Sequence, residues 1–276
     1  FTKTGPAGCN RCGGIISELL LQTLAVEGIN LPETLVRKGI DSYRLHTRHG
    51  SVFISTPAFD KTIATVFRGG GPKGATADHE SFDHFLLKQA VHEGAVHQPV
   101  LVDHIEYSNN RPILFSRHEK LMVADLVVGA FGVNSATAAK IAGLNLGYRE
   151  PTVVTAAVAE LSMDRELIAE RFGTSVHLFL VPDKGIKFAA MIPKGAFVTL
   201  CILGTTVNAH TVLDFLEKPI VRDVLPPPDR YKVECRCLPK MNLRAPKKPF
   251  ADRIVMCGDA GSTRLFKDGL GAAYLM

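Results

Sequence analysis

Apolar positions recur at helical spacing from Ile15 to Glu27, where Ile16, Leu19, Leu20, Leu24 and Ala25 form one stripe before Gly28. That pattern predicts a helix closed by a glycine C-cap. The period then drops to two. Tyr43, Leu45 and Thr47 precede a His49-Gly50 turn, and Val52, Ile54 and Thr56 follow it, which predicts a hairpin over 42–56. Thr62 to Phe67 reads as a strand. Ser81 to Glu93 reads as a helix with Phe82, Phe85, Leu86 and Ala90 on one face, ended by Gly94. Val100 to Tyr107 and Pro112 to Phe115 flank an Asn109-Asn110 turn as a second hairpin. Leu121 to Ala130 reads as one long strand running into Gly129-Ala-Phe-Gly132, and Ala136 to Ala142 as an alanine-rich helix.

From Pro151 the pattern becomes sheet-rich. Val153 to Leu161, Val176 to Val181, Ile186 to Ile192 and Ala196 to Leu203 read as strands with one helix, Arg165 to Arg171, among them. Val207 to Lys218 is expected to be helical. Pro226-Pro-Pro228 and Pro246 to Pro249 mark loops that return the chain to a final buried strand, Ile254 to Cys257. Antiparallel hairpins thus interrupt a strand-helix pattern, and no internal repeat or low-complexity block is present.

With 276 residues, 46% hydrophobic and 21% charged, the chain has the composition of a soluble globular protein able to bury a substantial core. The net charge of +5 is mild and its basic residues are scattered except at Arg244 to Lys248, so no nucleic-acid partner is indicated. The longest apolar stretch, Leu121 to Val133, contains Asp125 and two glycines and is too short to span a bilayer; peripheral membrane contact stays open. The six cysteines, at 9, 12, 201, 235, 237 and 257, show no disulfide framework, and a cytoplasmic location is expected. Zinc at Cys9, Cys12, Cys235 and Cys237 would need wider spacing in the second pair, and His46-x-x-His49 flanks a turn instead of lying on a helix, so no metal is expected.

Chemistry concentrates at glycines. Arg253-Ile-Val-Met-Cys-Gly-Asp-Ala-Gly261 followed by Lys267-Asp-Gly-Leu-Gly-Ala-Ala273 reads as a strand, a Gly-Asp turn and a helix opening near Gly269, the outline of a nucleotide-cofactor site. Asp259 is placed to accept hydrogen bonds from sugar-like hydroxyls. Gly69-Gly-Gly71-Pro-Lys-Gly74 satisfies a dinucleotide-binding expression, but the next helix starts only near Ser81 and Pro72 removes an N–H, so a flexible surface loop is expected instead. Gly5-Pro-Ala-Gly8 lacks a preceding strand and is set aside for a similar reason.

Cys12-Gly-Gly14-Ile-Ile-Ser17, Asp125-Leu-Val-Val-Gly-Ala-Phe-Gly132, Phe188-Ala-Ala-Met-Ile-Pro-Lys-Gly195 and Cys257-Gly-Asp-Ala-Gly261 through Asp268-Gly-Leu-Gly-Ala-Ala273, in that order, resemble the flavoproteins of the geranylgeranyl reductase group, within the class related to para-hydroxybenzoate hydroxylase. The resemblance covers nearly the whole chain. It implies an α/β fold in which an FAD-binding Rossmann-like domain of the glutathione reductase type, incomplete here, is interleaved with an antiparallel-sheet substrate domain. Residues 1–41, 62–150 and 250–276 would form the first, and 42–61 and 151–249 the second. Carried over by position, it places Cys12, Gly13, Gly14, Arg68, Gly129, Ala130, Gly132, Gly258, Asp259, Asp268, Gly269, Leu270 and Gly271 at the cofactor, and Phe188, Ala190, Ile192 and Pro193 at the substrate. The sequence departs from the group at Phe131, where an acidic residue is usual, and at the substrate motif, where stronger aromatic character is usual. The first glycine-rich strand-turn-helix of the group is missing, in keeping with a chain read as cut at both ends.

The implied activity is FAD-dependent hydride transfer to a double bond of a small apolar, prenyl or lipid-like substrate, with NAD(P)H or another reductant as electron donor. A flavin monooxygenase acting on an aromatic or lipid substrate, and a non-catalytic binding protein that keeps the fold, remain alternatives. Cys12, Tyr43 and His46 are the candidate proton donors, and the oligomeric state is open.

Overall fold

Ser17 is where the first sequence expectation shifts. The β-branched pair Ile15-Ile16 extends as strand β1 (Ile15–Ser17), and the Ser17 hydroxyl then accepts the Leu20 N–H at 3.3 Å to cap helix α1 (Glu18–Val26), which buries Leu20 and Leu24. The helix predicted from Ile15 therefore starts three residues later. The computed structural model describes residues 11–55, 63–72, 75, 80–181, 183 and 185–261. There follow β2 (Lys38–Ile40), β3 (Ser42–Thr47), β4 (Gly50–Ser55), β5 (Ile63–Thr65) and α2 (Phe82–His92), the last capped by Ser81, whose hydroxyl accepts the His84 N–H.

The second hairpin acquires a third strand: β6 (His104–Ser108), β7 (Arg111–Ser116) and β8 (Glu119–Val123) pair in order. Both turns carry two successive positive φ angles, 51° and 58° at Asn109-Asn110 and 50° and 72° at Arg117-His118, as a tight hairpin requires. The long strand expected over 121–130 is broken. Ala124 donates its N–H to the Pro112 carbonyl and Asp125 pairs with Arg111, so the chain leaves β8 and restarts as β9 (Val127–Gly129) in another sheet. Helix α3 (Thr137–Ala142) comes next.

The sheet-rich region holds β10 (Thr152–Met163), α4 (Arg165–Phe172), β11 (Ser175–Leu180), β12 (Ile186–Lys194) and β13 (Phe197–Gly204), close to expectation. The helix expected from Val207 begins later, because the Asn208 side chain and the Thr211 hydroxyl close a turn first; it forms α5 (Thr211–Leu216), and Pro219 opens a second short helix, α6 (Pro219–Arg222). Two strands in the predicted return loop were not anticipated, β14 (Tyr231–Cys237) and β15 (Lys240–Arg244). They precede β16 (Phe250–Ala251) and β17 (Ile254–Met256).

The chain divides into two compact units. One is formed by the described residues up to Ala95 and by Thr155–Pro239, the other by Val96–Val154 and the described residues from Lys240. In the first, a sheet of order β14-β10-β13-β12-β11-β3-β4 is antiparallel except for the parallel β11–β3 pair. One face of its central strands presents Ala157, Ala159, Leu161, Met191, Val198, Leu200 and Ile202 to Ile168, Phe172, Val212 and Phe215 of the helices. The opposite face alternates with it. There Ala190 and Ile192 pack with Ile40, Val176 and the partly buried Ile15 and Tyr43. A smaller sheet, β1-β5-β2, and α1 and α2 enclose a separate core of Ile16, Leu20, Leu24, Leu35, Val66, Phe82 and Phe85.

In the second unit, β9 runs parallel to β17, which also pairs antiparallel with β16. Ile254 and Met256 point into a core with Ile105, Ala138, Ile141 and Tyr148. Among the described residues no helix is long and apolar enough to cross a membrane.

Candidate functional site

In the first unit a cleft is lined by Cys12, Phe67, Arg68, Gly69, Gly71, Pro72, Glu160, Lys194 and Cys235. Gly69 to Pro72, expected at the surface, are buried. The start of α2 does not serve this glycine run: the Phe82 and Asp83 N–H groups go to the Phe67 and Arg68 carbonyls, and the Ser81 hydroxyl also donates to Arg68. Arg68 forks onto Asp83, Nε to Oδ1 at 2.9 Å and an Nη to Oδ2 at 2.8 Å. Crowding by protein would lower the guanidinium pKa, but the hydrogen bonds and charge of Asp83, joined by Cys12, outweigh it and raise it. Cys12 Sγ also accepts the Gly14 N–H at 3.4 Å, so a main-chain donor and a guanidinium converge on one thiol.

The floor of the cleft is a buried ion pair that the sequence reading passed over. Glu160 of β10 and Lys194 at the end of β12 lie 3.8 Å apart, their side chains 8% and 1% exposed. Strand register explains the meeting. Glu160 stands opposite Thr199 of β13 and Cys235 of β14, while Lys194 follows Ile192 on the same face of β12. The Thr199 hydroxyl reaches both Glu160 oxygens, at 2.9 and 2.8 Å. Burial pushes the Glu160 carboxyl up, opposed by Lys194 and by the Thr199 hydrogen bond. Lys194 Nζ lies 5.1 Å from the centre of the Phe67 ring.

Gly13 and Gly14 stand beside this pair. A Cβ on Gly13 would press on Ile192 Cδ1 at 3.0 Å and Cys201 Sγ at 3.3 Å; one on Gly14 would overlap the Val66 carbonyl oxygen and come within 2.8 Å of Lys194 Nζ. The proposed substrate residues divide between the two faces of β12. Ala190 and Ile192 are buried in the face that also carries Lys194, Phe188 falls in the same alternation, and Pro193 points the other way, its carbonyl accepting the Thr65 hydroxyl at 3.1 Å. Tyr43 is half-buried beside Ile40, and burial raises its phenol. His46 sits in the interior. Its Nε2 meets His177 Nδ1 at 3.1 Å, its Nδ1 meets the Ser51 hydroxyl at 2.7 Å, and Phe179 stacks on its ring.

The second unit gathers the remaining described glycine candidates at one edge. The parallel strands β9 and β17 end side by side, with the Cys257 N–H donating to the Gly129 carbonyl at 3.1 Å. Gly129 is closed off: a Cβ there would meet Met256 Sδ and Phe131 Cε1 at 2.7 Å. Gly132 and Gly258 are open, with φ of 68° and 58° and nothing within 4 Å of an added Cβ. Ala130 is exposed between the glycines. The turn Gly258–Ala260 is tied down from behind, Asn242 donating to the Asp259 carbonyl at 2.6 Å and Tyr148 to the Ala260 carbonyl at 3.1 Å. Asp268, Gly269, Leu270 and Gly271 lie outside the described residues. No cluster of metal-ligating side chains occurs among the described residues.

Ligands of open α/β sheets bind beyond the carboxyl ends of parallel strands. Several solved structures are similar to nearly the whole chain. A geranylgeranyl bacteriochlorophyll reductase-like protein from Thermoplasma acidophilum aligns over 98% of the chain and 64% of its own, with a TM-score of 0.68 and 14% identity. The flavin-dependent brominase Bmp2 aligns over 99% and 68%, with a TM-score of 0.68 and 12% identity. HpxO from Klebsiella pneumoniae, solved in complex with FAD, aligns over 95% and 68%, with a TM-score of 0.56 and 14% identity. The fold is that of the FAD-binding flavoproteins. The chain spans about two thirds of the length of these structures. No family model matches the sequence, and no curated protein matches it.

Proposed function

We propose that this chain is the larger part of an FAD-dependent oxidoreductase that delivers a hydride to a double bond of an apolar substrate, as its resemblance to the geranylgeranyl reductase group implies. The observation that carries the reading is the pair of glycine turns at the ends of β9 and β17. Gly132 and Gly258 adopt backbone that side chains avoid and leave open space where a Cβ would stand, which fits close approach by a flat or dinucleotide ligand. The residues present therefore fit FAD.

In this reading the resemblance assigns Gly129, Ala130, Gly132, Gly258, Asp259, Cys12, Gly13, Gly14 and Arg68 to the cofactor. Asp268 to Gly271 complete the set. Bound FAD would supply the hydride. The protein's part is positional: Asn242 and Tyr148 fix the Gly258–Ala260 turn, and Asp83 fixes the Arg68 head group. Phe188, Ala190, Ile192 and Pro193 are the residues the resemblance assigns to the substrate, and NAD(P)H or another reductant would serve as electron donor.

An absorption spectrum of the full-length protein, before and after denaturation, tests the cofactor. Flavin bands near one per chain are the expected result, and a folded, colourless full-length protein that does not take up added FAD would end the proposal. Anaerobic mixing with NADH or NADPH then tests the reductant, bleaching of the flavin being expected with one of the two.

A further inference from the structure

Lys194 is the residue of the cleft whose chemistry is least accounted for by its surroundings. An ammonium brings three N–H donors and no acceptor, and hiding one from water is costly unless those donors are met. Its side chain is 1% exposed, yet among the described residues its charged partner is Glu160 at 3.8 Å, beyond hydrogen-bond reach. The Glu160 oxygens are turned toward Thr199, and the Phe67 ring offers a π-face but no oxygen. Arg68, the other cation lining the cleft, has two of its nitrogens on Asp83 and a further contact to Cys12.

Space limits the guest. The cleft has an open volume of about 20 Å3, room for about one water-sized group. A single oxygen at the tip of a ligand can enter.

We infer that Lys194 is an oxyanion-binding residue, whose ammonium takes a carbonyl or anionic oxygen of the ligand at this cleft while Glu160 holds it in place and tempers its charge. The inference deepens the proposed function, and rests on it for the source of that oxygen, which belongs either to the bound flavin or to the substrate. Glu160 is a positioning residue with a distinctive signature. Its carboxylate opposes any anion arriving at Lys194, so neutralising it should tighten anion binding, whereas simple damage to a structural ion pair would weaken or abolish it.

The test uses the full-length protein as wild type, Lys194→Met and Glu160→Gln. Each is titrated with sulfite, which adds to oxidised flavin and bleaches it more tightly when positive charge stands near, and by calorimetry with formate, the smallest carboxylate. Lys194→Met is expected to weaken at least one titration by about tenfold or more, the scale of a lost charged hydrogen bond, and Glu160→Gln to tighten the same one. A change with sulfite assigns the oxygen to the flavin; a change with formate alone assigns it to the substrate.

Coincident curves for wild type and a folded Lys194→Met, or no binding of either probe by wild type, overturn the inference. Should Lys194→Met fail to fold, Glu160→Gln decides: unchanged or weaker binding in that variant counts against Lys194. A folded wild type that shows no flavin bands and takes up no added FAD would end the proposed function but leave the formate titration to judge Lys194 by itself.

Discussion

Gly14 carries a residue-scale constraint that the cleft cannot do without. Its φ is 67°, and a Cβ would overlap the Val66 carbonyl, whose own residue donates an N–H to the Gly14 carbonyl at 2.8 Å. Gly14→Ala should therefore cost more than the 1 to 2 kcal/mol, roughly, of left-handed backbone alone, with about 3 kcal/mol a fair expectation once the overlap is added. Gly28, with φ of 77° and open space around it, is the control. Its alanine variant should lose only about 1 kcal/mol. Equal losses in urea denaturation would contradict the steric argument. The resemblance marks Cys12-Gly-Gly14 as a cofactor segment, but the need for glycine at 14 comes from the Val66 carbonyl, which only the fold brings there. Glu160 and Lys194 were not legible as a pair, because a lone acid inside Val153 to Leu161 and a lysine closing Phe188 to Lys194 each look like a solvated strand position until strand register pairs them.

At the scale of elements, β3 joins β11 as the parallel pair of the large sheet, and two buried histidines cross that seam. Burial, then the nearby His46 and Arg44, push His177 down to about 3, and burial lowers His46 as well. Both are then neutral in the folded protein near neutral pH. A depressed folded pKa means that the unfolded chain binds protons first. The contribution of His177 is present above about pH 6.5, its unfolded value, and is lost as pH falls from there toward about 3. Between about pH 7.5 and about pH 5 the wild type should lose roughly 1 to 2 kcal/mol through this residue, and His177→Phe should flatten that part of the urea midpoint curve. Glu160, raised by burial, works in the opposite direction, so the informative quantity is variant against wild type. A His177→Phe curve parallel to wild type would remove the seam as an acid-sensitive feature. The β3–β4 hairpin, α2, α4 and β10 to β13 were legible from period and capping residues. The β14 strand was not, although Tyr231, Val233, Cys235 and Cys237 alternate with Lys232, Glu234 and Arg236. Flanking prolines suggested a loop, and pairing with β10 overrode that cue.

At the scale of the whole molecule, long-range pairing supplies what no local pattern could. The strand read as continuous over 121–130 serves two sheets, and its second half meets Ile254 to Met256 more than a hundred residues later. Only that parallel pairing sets Gly129 to Gly132 beside Gly258 to Ala260. Motif order hinted at the meeting, since both segments were assigned to one cofactor, but the sequence could not show that Gly129 is closed off by Met256 and Phe131 while Gly132 and Gly258 stay open. If these turns hold FAD, then adding FAD to flavin-depleted full-length protein should slow amide exchange there first, along with the Cys257 N–H bonded to the Gly129 carbonyl and the Gly261 N–H bonded to the Gly258 carbonyl. Stability should also rise by mass action, by about 2.7 kcal/mol at a hundredfold excess over Kd. The β6–β8 sheet of the same unit serves as the internal reference, because its exchange should slow only through global stabilisation. Exchange mass spectrometry that finds protection spread evenly over both segments would place the cofactor elsewhere, whatever the colour of the protein.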